Sequence, residues 1–425
     1  MFSGWTRRGG GRAVEPWVRT VAVLAVAQVV SEMAFSFALP FTPLYLLELG
    51  VPNAAEAALW AGAMAGTFAV AMGGMAPVWG VVADRFGHRL MIQRAFFGAG
   101  AAIACMALVQ TPEQLLALRV VHGTFTGVVT AMATLVSVTA PRPYMATALG
   151  AMTAAQQLGI SLGPLLGGTF SDLFGLRASF AVTGATLVAT GVLVTLLVRR
   201  DPARAARRGA VGTGASERAS ASAGGRLLTP GLLAVVGLMA AVRFAQMAPT
   251  PVIPLFVQDL AGSSERLGTT VGIVLAATGF ASTVSALLVG RLTDRFGRRA
   301  ILAGCLLAAV ALAPLHLLVG SVAQLIALRI ATGLALGGMG PALQALMIDV
   351  TPAGRRGAAF GLLTTANASG SGAGPIFASV VAAGYGVPMS FVATMPMFAL
   401  AGWLLARIRP PHPSDTNGQP ATGSR

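Results

Sequence analysis

Glu32 is the residue with the clearest chemical potential. It is the one acid well inside a long apolar run of this chain. A carboxyl placed there can take up and release a proton or hold a cationic solute. Gln28, Glu32 and Ser36 recur at i, i+4 and i+8, which puts them on one face of a helix. Pro40 and Pro43 follow, and each bends the helix that contains it. Arg243 stands 211 residues later in a matching context, with Met247 and Pro251 at the same intervals. Burial would favour a carboxyl that keeps its proton, whereas a neighbouring guanidinium would favour an ion pair. The residues allow both, and they also allow a purely structural ion pair. Arg119 and Arg329 lie inside apolar runs as well. A cation at the centre of a bilayer costs roughly 2.5–3.5 kcal/mol on insertion scales, so such residues face an interior. The plain reading is that helix carbonyls satisfy them and that each holds its bundle together. His122, Gln156, Gln157, Gln246, Gln344 and Asn367 complete the polar groups within these runs. Gln156 and Gln157 are the candidates for contact with a solute, and His316 reads as an ordinary interior histidine.

Nothing else in the chain suggests catalysis. It has no phosphate-binding glycine loop, no nucleophile with a base at motif spacing, and no metal-ligand spacing. Cys105 and Cys305 are isolated in apolar runs and read as packing residues. No enzyme activity, cofactor or metal is expected.

The elements that must position these residues follow from composition. The 425 residues are 55% hydrophobic and only 10% charged. A soluble domain carries about 25% charged residues, so this chain cannot cover a water-facing surface of its own size. Apolar runs fall at about 18–46, 58–81, 90–110, 113–138, 145–170 and 176–198. After a gap they resume at 231–258, 267–290, 299–319, 321–347, 357–383 and 388–407. Twelve helical spans of ~20 residues consume about 240 residues, which leaves no room for a large domain outside a membrane. The gap from Arg199 to Arg226 holds seven Arg against Asp201 and Glu217. It reads as a flexible, solvated linker.

A net charge of +15 would suggest nucleic acid in a soluble protein, but here the charges punctuate apolar runs. No nucleic-acid partner is expected. All 29 basic residues are Arg. If the spans alternate, Arg85, Arg89, Arg142, Arg199, Arg295, Arg299 and their neighbours share one side with both termini. The positive-inside rule makes that side cytoplasmic. No small-residue cleavage site follows the first apolar run, so that run is expected to stay in the protein.

The chain also repeats. Gly80-Val-Val-Ala-Asp84-Arg85-Phe86-Gly87-His88-Arg89 returns as Gly290-Arg-Leu-Thr-Asp294-Arg295-Phe296-Gly297-Arg298-Arg299, 210 residues on. Leu115, Leu118, Arg119 and Gly123 return as Leu325, Leu328, Arg329 and Gly333 at the same interval. Gly163-Pro164 returns as Gly374-Pro375, and Pro40 and Pro43 as Pro251 and Pro254, at 211. Six spans per repeat is an even number, so the halves share one orientation. Parallel repeats of this kind build two-bundle transporters with a binding site at mid-membrane.

These motifs resemble those of the major facilitator superfamily over nearly the whole chain. The segments 80–89 and 290–299 resemble the superfamily's loop signature and its second-half echo. His88 departs from the Arg or Lys usual at its position. Leu115 to Gly127 resembles the fourth-helix signature, and Gly159, Gly163, Pro164, Gly167 and Gly168 resemble the fifth-helix signature of drug:proton antiporters. The look is similar to bacterial twelve-helix multidrug efflux proteins. The resemblance implies a conformational latch at Gly80, Asp84, Arg85, Gly87 and Arg89, echoed at Asp294, Arg295 and Gly297. It also implies that Arg119 modulates a proton-carrying acid. The plainer reading of the loops is that their arginines anchor topology. Gly80 is expected to let the second helix end. Gly159, Gly163 and Gly167 form an i, i+4, i+8 ridge that permits close helix approach and is expected to seal the interface between bundles against proton leak.

The expected fold is therefore all-α and membrane-embedded, with twelve transmembrane helices in two six-helix bundles related by a pseudo-two-fold axis. Residues 1–198 form the first bundle, 199–229 a cytoplasmic linker, 230–409 the second bundle, and 410–425 a disordered tail. The expected protein is a monomer in a bacterial cytoplasmic membrane, with protons and a small molecule as its partners. The expected function is secondary active export of drugs or amphipathic metabolites by proton antiport and alternating access. An apolar cavity with few charges suits neutral or weakly charged substrates. The rivals are a proton-coupled importer of a small metabolite and a non-transporting membrane sensor.

Overall fold

A computed structural model describes residues 16–141, 144–198, 230–262, 264–350 and 356–408. The expected linker and C-terminal tail lie outside the described residues. Among the described residues every regular element is helical. The first half contains α1 (Pro16–Ala38 and Thr42–Glu48), α2 (Ala54–Phe86), α3 (His88–Met106) and α4 (Pro112–Phe125 and Val128–Thr139). Helices α5 and α6 together occupy Met145–Leu197 and are divided at Gly175, where φ is 83°. The second half contains α7 (Pro230–Met247 and Ile253–Ala261), α8 (Leu267–Phe296), α9 (Arg298–Leu312 and Pro314–Leu318) and α10 (Val322–Gly337 and Met339–Val350). It closes with α11 (Arg356–Tyr385) and α12 (Val387–Val392 and Met395–Arg407). Eight described segments are long and apolar enough to cross a membrane, and one of them, Thr147–Leu197, is long enough to cross twice.

The backbone repeats as the sequence does. Gly50, Gly87 and Gly175 have φ of 92°, 93° and 83°, and Gly262, Gly297 and Gly386 have 65°, 81° and 87°. Each pair occupies equivalent connections between helices, in a region that favours glycine. Caps repeat too. Thr111 accepts from the Gln114 amide at the start of α4, and Ser321 accepts from the Gln324 amide at the start of α10. These side chains satisfy amide donors that a helix leaves free at its first turn.

Helix α2 does not end at Gly80, contrary to the expectation. It continues to Phe86 and ends at Gly87, whose N–H donates to the Ala83 carbonyl. A lone Gly is tolerated inside a helix, and the positive φ of Gly87 is what turns the chain. Asp84 and Arg85 therefore sit on the last helical turn rather than in a loop.

The two bundles meet at one end. Buried residues of the first bundle run without a break into Val252, Phe256, Val271 and Phe391 of the second. The glycine approaches between bundles lie toward that same end. Gly62 and Gly66 of α2 face Ser379 and Ile376 of α11, and Gly168 of α5 faces Gly268 of α8. Toward the other end, which carries the 80–89 and 290–299 segments, Gly73, Gly74 and Gly80 of α2 face nothing within 4 Å. The molecule is thus closed at one end of its central cleft and open at the other.

Candidate functional site: a cavity between two repeats

A cavity of about 340 Å³ lies in the cleft just below the closed end. The bends in α1 and α7 shape it, through Pro40 and Pro43 on one side and Thr250 and Pro251 on the other. Its walls are apolar and adaptable, with Met64, Phe68 and Met72 from α2 and Met247 from α7. Two cations reach it, Arg119 from α4 and Arg243 from α7.

Glu32 does not line this cavity; it is buried on the α1–α5 contact, two turns before Leu39, the first residue of α1 in the lining. Its Oε1 accepts from Gln28 Nε2 at 3.0 Å and from Gln156 Nε2 at 3.4 Å. Gln156 reaches Glu32; Gln157, half-buried one position on, has no hydrogen bond to it. The close approach depends on Gly159. A Cβ there would lie 2.6 Å from the Glu32 Cβ and 2.5 Å from the Val29 carbonyl. The second repeat builds the same crossing from α7 and α11. A Cβ at Gly370 would lie 2.6 Å from the Ala240 carbonyl and 3.1 Å from the Arg243 Cβ. Arg243 there donates from Nε to Ser371 Oγ at 3.0 Å. Glu32 and Arg243 are repeat mates, as the 211-residue interval suggests. Each nevertheless has its partners in its own bundle, and they form no ion pair with each other.

The antiporter-like ridge divides its work. Gly159, Gly163 and Gly167 pack on α1 within the first bundle, against Val29, Met33 and Phe37. They do not form the seam between bundles that the ridge alone implied. The next positions do. Gly168 meets the Gly268 backbone, and the Pro164 carbonyl meets Gly272 of α8. One turn beyond, Asp172 closes the seam. Its carboxylate accepts from the amides of Gly268 and Thr269, both at 2.7 Å, and from the Thr269 hydroxyl at 2.6 Å. An acid of the first bundle thus caps the N-terminus of α8 in the second, where free amides and the helix dipole favour negative charge. No motif marks Asp172. The one available signal was its place four residues after the Gly167-Gly168 pair.

The repeat mates Arg119 and Arg329 are not equivalent. The guanidinium of Arg119 lies 5.1 Å above the Phe68 ring, and its buried Nε and Nη1 have no hydrogen-bond partner. His122 is buried one turn on, between Phe35 and Phe68 at 5.6 and 4.9 Å, with both ring nitrogens unpartnered. Arg329 instead donates to Thr278 Oγ1 at 3.1 Å. It lines a separate void of about 40 Å³ inside the second bundle, with His316, Gln246 and Thr394. His316 stacks on Phe391 at 4.0 Å and meets the Ala313 carbonyl through Nδ1. Repetition of sequence therefore does not carry Arg329 into the central cavity.

In the latch-like segments, the side chains of Asp84 and Asp294 lie outside the described residues. Arg85 is exposed, and Arg295 lies 5.3 Å from the Phe296 ring. Arg89 and Arg299 do parallel work within their own bundles. Arg89 donates to the Thr195 carbonyl near the end of α6, and Arg299 donates to the Leu405 and Ala406 carbonyls at the end of α12, at 3.0 and 3.2 Å. Helix C-termini leave such carbonyls free, and cations suit them. Sequence reading also missed Arg94 and Trp79. Helix α4 breaks at Gly127, where φ is 115°, and strands the carbonyls before the break. Trp79 Nε1 donates to the Thr124 carbonyl at 2.7 Å and Arg94 Nη2 to the Thr126 carbonyl at 2.9 Å. The Arg94 guanidinium also lies 3.9 Å from the centre of the Trp79 ring. The matching break in α10 uses neutral groups, Ser285 to the Leu334 carbonyl and Gln246 to that of Leu336.

Two parallel repeats of six helices around one central cavity, bent alike at α1 and α7, accord with the match of the Major Facilitator Superfamily profile to residues 24–270 and 244–424. The chain belongs to the Major Facilitator Superfamily. As a member of that superfamily it is a multi-pass membrane transporter and not an enzyme. It is 31% identical to the multidrug resistance protein MdtG of Dickeya zeae, across 92% of this chain and 95% of that one. It is 30% identical to MdtG of Serratia proteamaculans, across 93% of this chain and 95% of that one. Its fold is similar to that of a bacterial homolog of the human lysosomal transporter Spinster in an inward-facing, occupied conformation. That similarity has a TM-score of 0.73 at 16% identity and covers 93% of this chain and 97% of that one. The nucleoside transporter NupG matches with a TM-score of 0.70 at 13% identity, covering 93% of this chain and 99% of that one. Superfamily membership accounts for the duplicated motifs and for the twelve spans expected from the apolar runs.

Proposed function

We propose that this transporter exports amphipathic small molecules from the cytoplasm across a bacterial cytoplasmic membrane, in exchange for protons, by alternating access. One observation carries the reading. A central cavity is sealed at one end by Asp172 on α8 and open at the other, and α1, which lines it from Leu39 to Pro43, carries the buried acid Glu32 two turns earlier. The open end bears Arg85, Arg89, Arg295, Arg298 and Arg299, so the positive-inside rule sets it in the cytoplasm. The structure then corresponds to the state that loads substrate from inside. The names of the MdtG relatives favour export.

Glu32 is the proton carrier in this reading. As a carboxylate it accepts the amide N–H groups of Gln28 and Gln156. Gln28 Oε1 is buried and has no partner. A protonated Glu32 becomes a donor, and a turn of the Gln28 amide would offer it that oxygen. Gln28 can therefore face Glu32 with a donor in the charged state and with an acceptor in the protonated one.

Inside-out vesicles with acid interiors and a fluorescent reporter of the proton gradient test this. Substrate added outside should collapse part of the gradient with the unaltered protein and not with Glu32→Gln. Glu32→Gln holds the side chain in a neutral, proton-loaded shape, so it should still bind substrate and exchange it across the membrane without protons. Equal proton flux in both proteins would remove Glu32 from the carrier role.

A further inference from the structure

The polar lining of the central cavity points to a substrate class. Arg119 and Arg243 both reach it, and among the described residues no carboxylate lines it. Glu32, the nearest acid by fold position, is held by Gln28 and Gln156. Two Arg119 nitrogens are buried with no acceptor, and Arg243 donates from Nε to the neutral Ser371 hydroxyl. A buried cation without a counter-charge is unfavourable, and an anion that enters beside it relieves the imbalance. The guanidinium also matches an oxyanion with planar, multiple donors. The remaining walls, Leu39, Met64, Phe68, Met72 and Met247, are apolar and, through the methionines, adaptable. A volume of about 340 Å³ is at the small end for ligand pockets.

We propose that the preferred substrates are organic anions: a compact apolar body bearing one carboxylate or a similar oxyanion, held between Arg119 and Arg243. This rests on the reading of the cavity as a transport site, and it revises the expectation of neutral or weakly charged substrates. The reason is spatial. Sequence shows two arginines on different helices, and only the fold brings both to one cavity and leaves Glu32 outside its lining.

The test uses the full-length protein in lipid nanodiscs with three matched fluorescent probes: dansylglycine, its neutral amide, and a dansyl alkylammonium of similar size. The carboxylate should bind at least tenfold more tightly than the amide, and the ammonium most weakly. Arg243→Gln should remove that tenfold preference while leaving the amide's affinity within twofold. Arg119→Lys, which keeps the charge but not the fork, should show an intermediate loss. Equal binding of carboxylate and amide, tightest binding of the ammonium, or no binding of any probe would each overturn the proposal. Uptake of the same probes into inside-out vesicles separates the two readings. If the carboxylate binds and is not moved, the transport reading fails and the anion site stands. If the ammonium is moved and the carboxylate is not, transport stands and the anion class falls.

Discussion

Asp172→Ala should open the closed end. The carboxylate makes three hydrogen bonds across the bundle interface, to two backbone amides and one hydroxyl. Hydrogen bonds to a charged group are worth about 1.5–3 kcal/mol, most of it lost when a buried donor is left unpaired. Loss of a cap costs about 0.5–2 kcal/mol. These ranges describe one overlapping interaction, so about 2 kcal/mol is a fair total. All of it stabilises one state, because the bonds exist only while α5 and α8 touch at this end. The equilibrium between states should shift roughly 30-fold toward the conformation open at this end. Spin labels at Gln110 in the first bundle and Glu265 in the second, in a background without Cys105 and Cys305, would report it as a gain of longer distances. Asp172→Asn, which keeps one acceptor oxygen, should shift less. If distance distributions match those of the unaltered protein, Asp172 does not hold the end closed and the assignment of the seal is wrong.

Three further outcomes follow from the packing. Gly163→Val should abolish transport while the protein still inserts, because even a Cβ would lie 2.6 Å from the Met33 carbonyl and the Ser36 Cβ; vesicle transport beside membrane-fraction yield checks this. Trp79→Phe should lower the thermal unfolding midpoint in detergent, since an unsatisfied Thr124 carbonyl costs about 1–3 kcal/mol, and an unchanged midpoint would show that the α4 break needs no such support. Gly87→Ala should destabilise by about 1–3 kcal/mol, because φ 93° with ψ 159° is a region essentially confined to glycine, whereas Gly80→Ala, inside α2 with open space around it, should raise the same midpoint slightly, since Gly costs about 0.5–1 kcal/mol relative to Ala in a helix interior.

Much of the architecture was legible in sequence because two strong periodic signals agreed. Apolar runs of membrane-spanning length set the number of helices, and landmarks repeated at 210 to 211 residues related them. The finer misreadings have a common physical origin. Gly80 looked like a helix end because composition changes there, but helix ends are set by backbone dihedrals, and Gly87 carries the positive φ. The ridge of Gly159, Gly163 and Gly167 announced a close approach without saying to what, and its partner is α1. Asp172 and the Arg94–Trp79 pair were invisible because their partners are backbone groups on distant helices, which leave no trace in residue type. Arg119 and Arg329 look alike in sequence, yet only Arg119 reaches the central cavity; Arg329 donates to Thr278 of α8 and faces the small void inside the second bundle, a difference set by neighbouring helices that residue type does not record.

Helix α5 carries Gln156, which holds Glu32, and also Asp172, which holds α8. The sixteen residue steps from one to the other span about 24 Å at 1.5 Å per residue. One stiff rod therefore has the proton site clipped near one point and the gate latched at another. Glycines let it lie on its support without a gap, and Pro164, which removes one helical hydrogen bond, is a place along the interval where its backbone can yield. A rod so held cannot slip at one clip without loading the other. Timing between proton transfer and gate release is then a matter of how stiff α5 is at Pro164, a mechanical quantity rather than a chemical one.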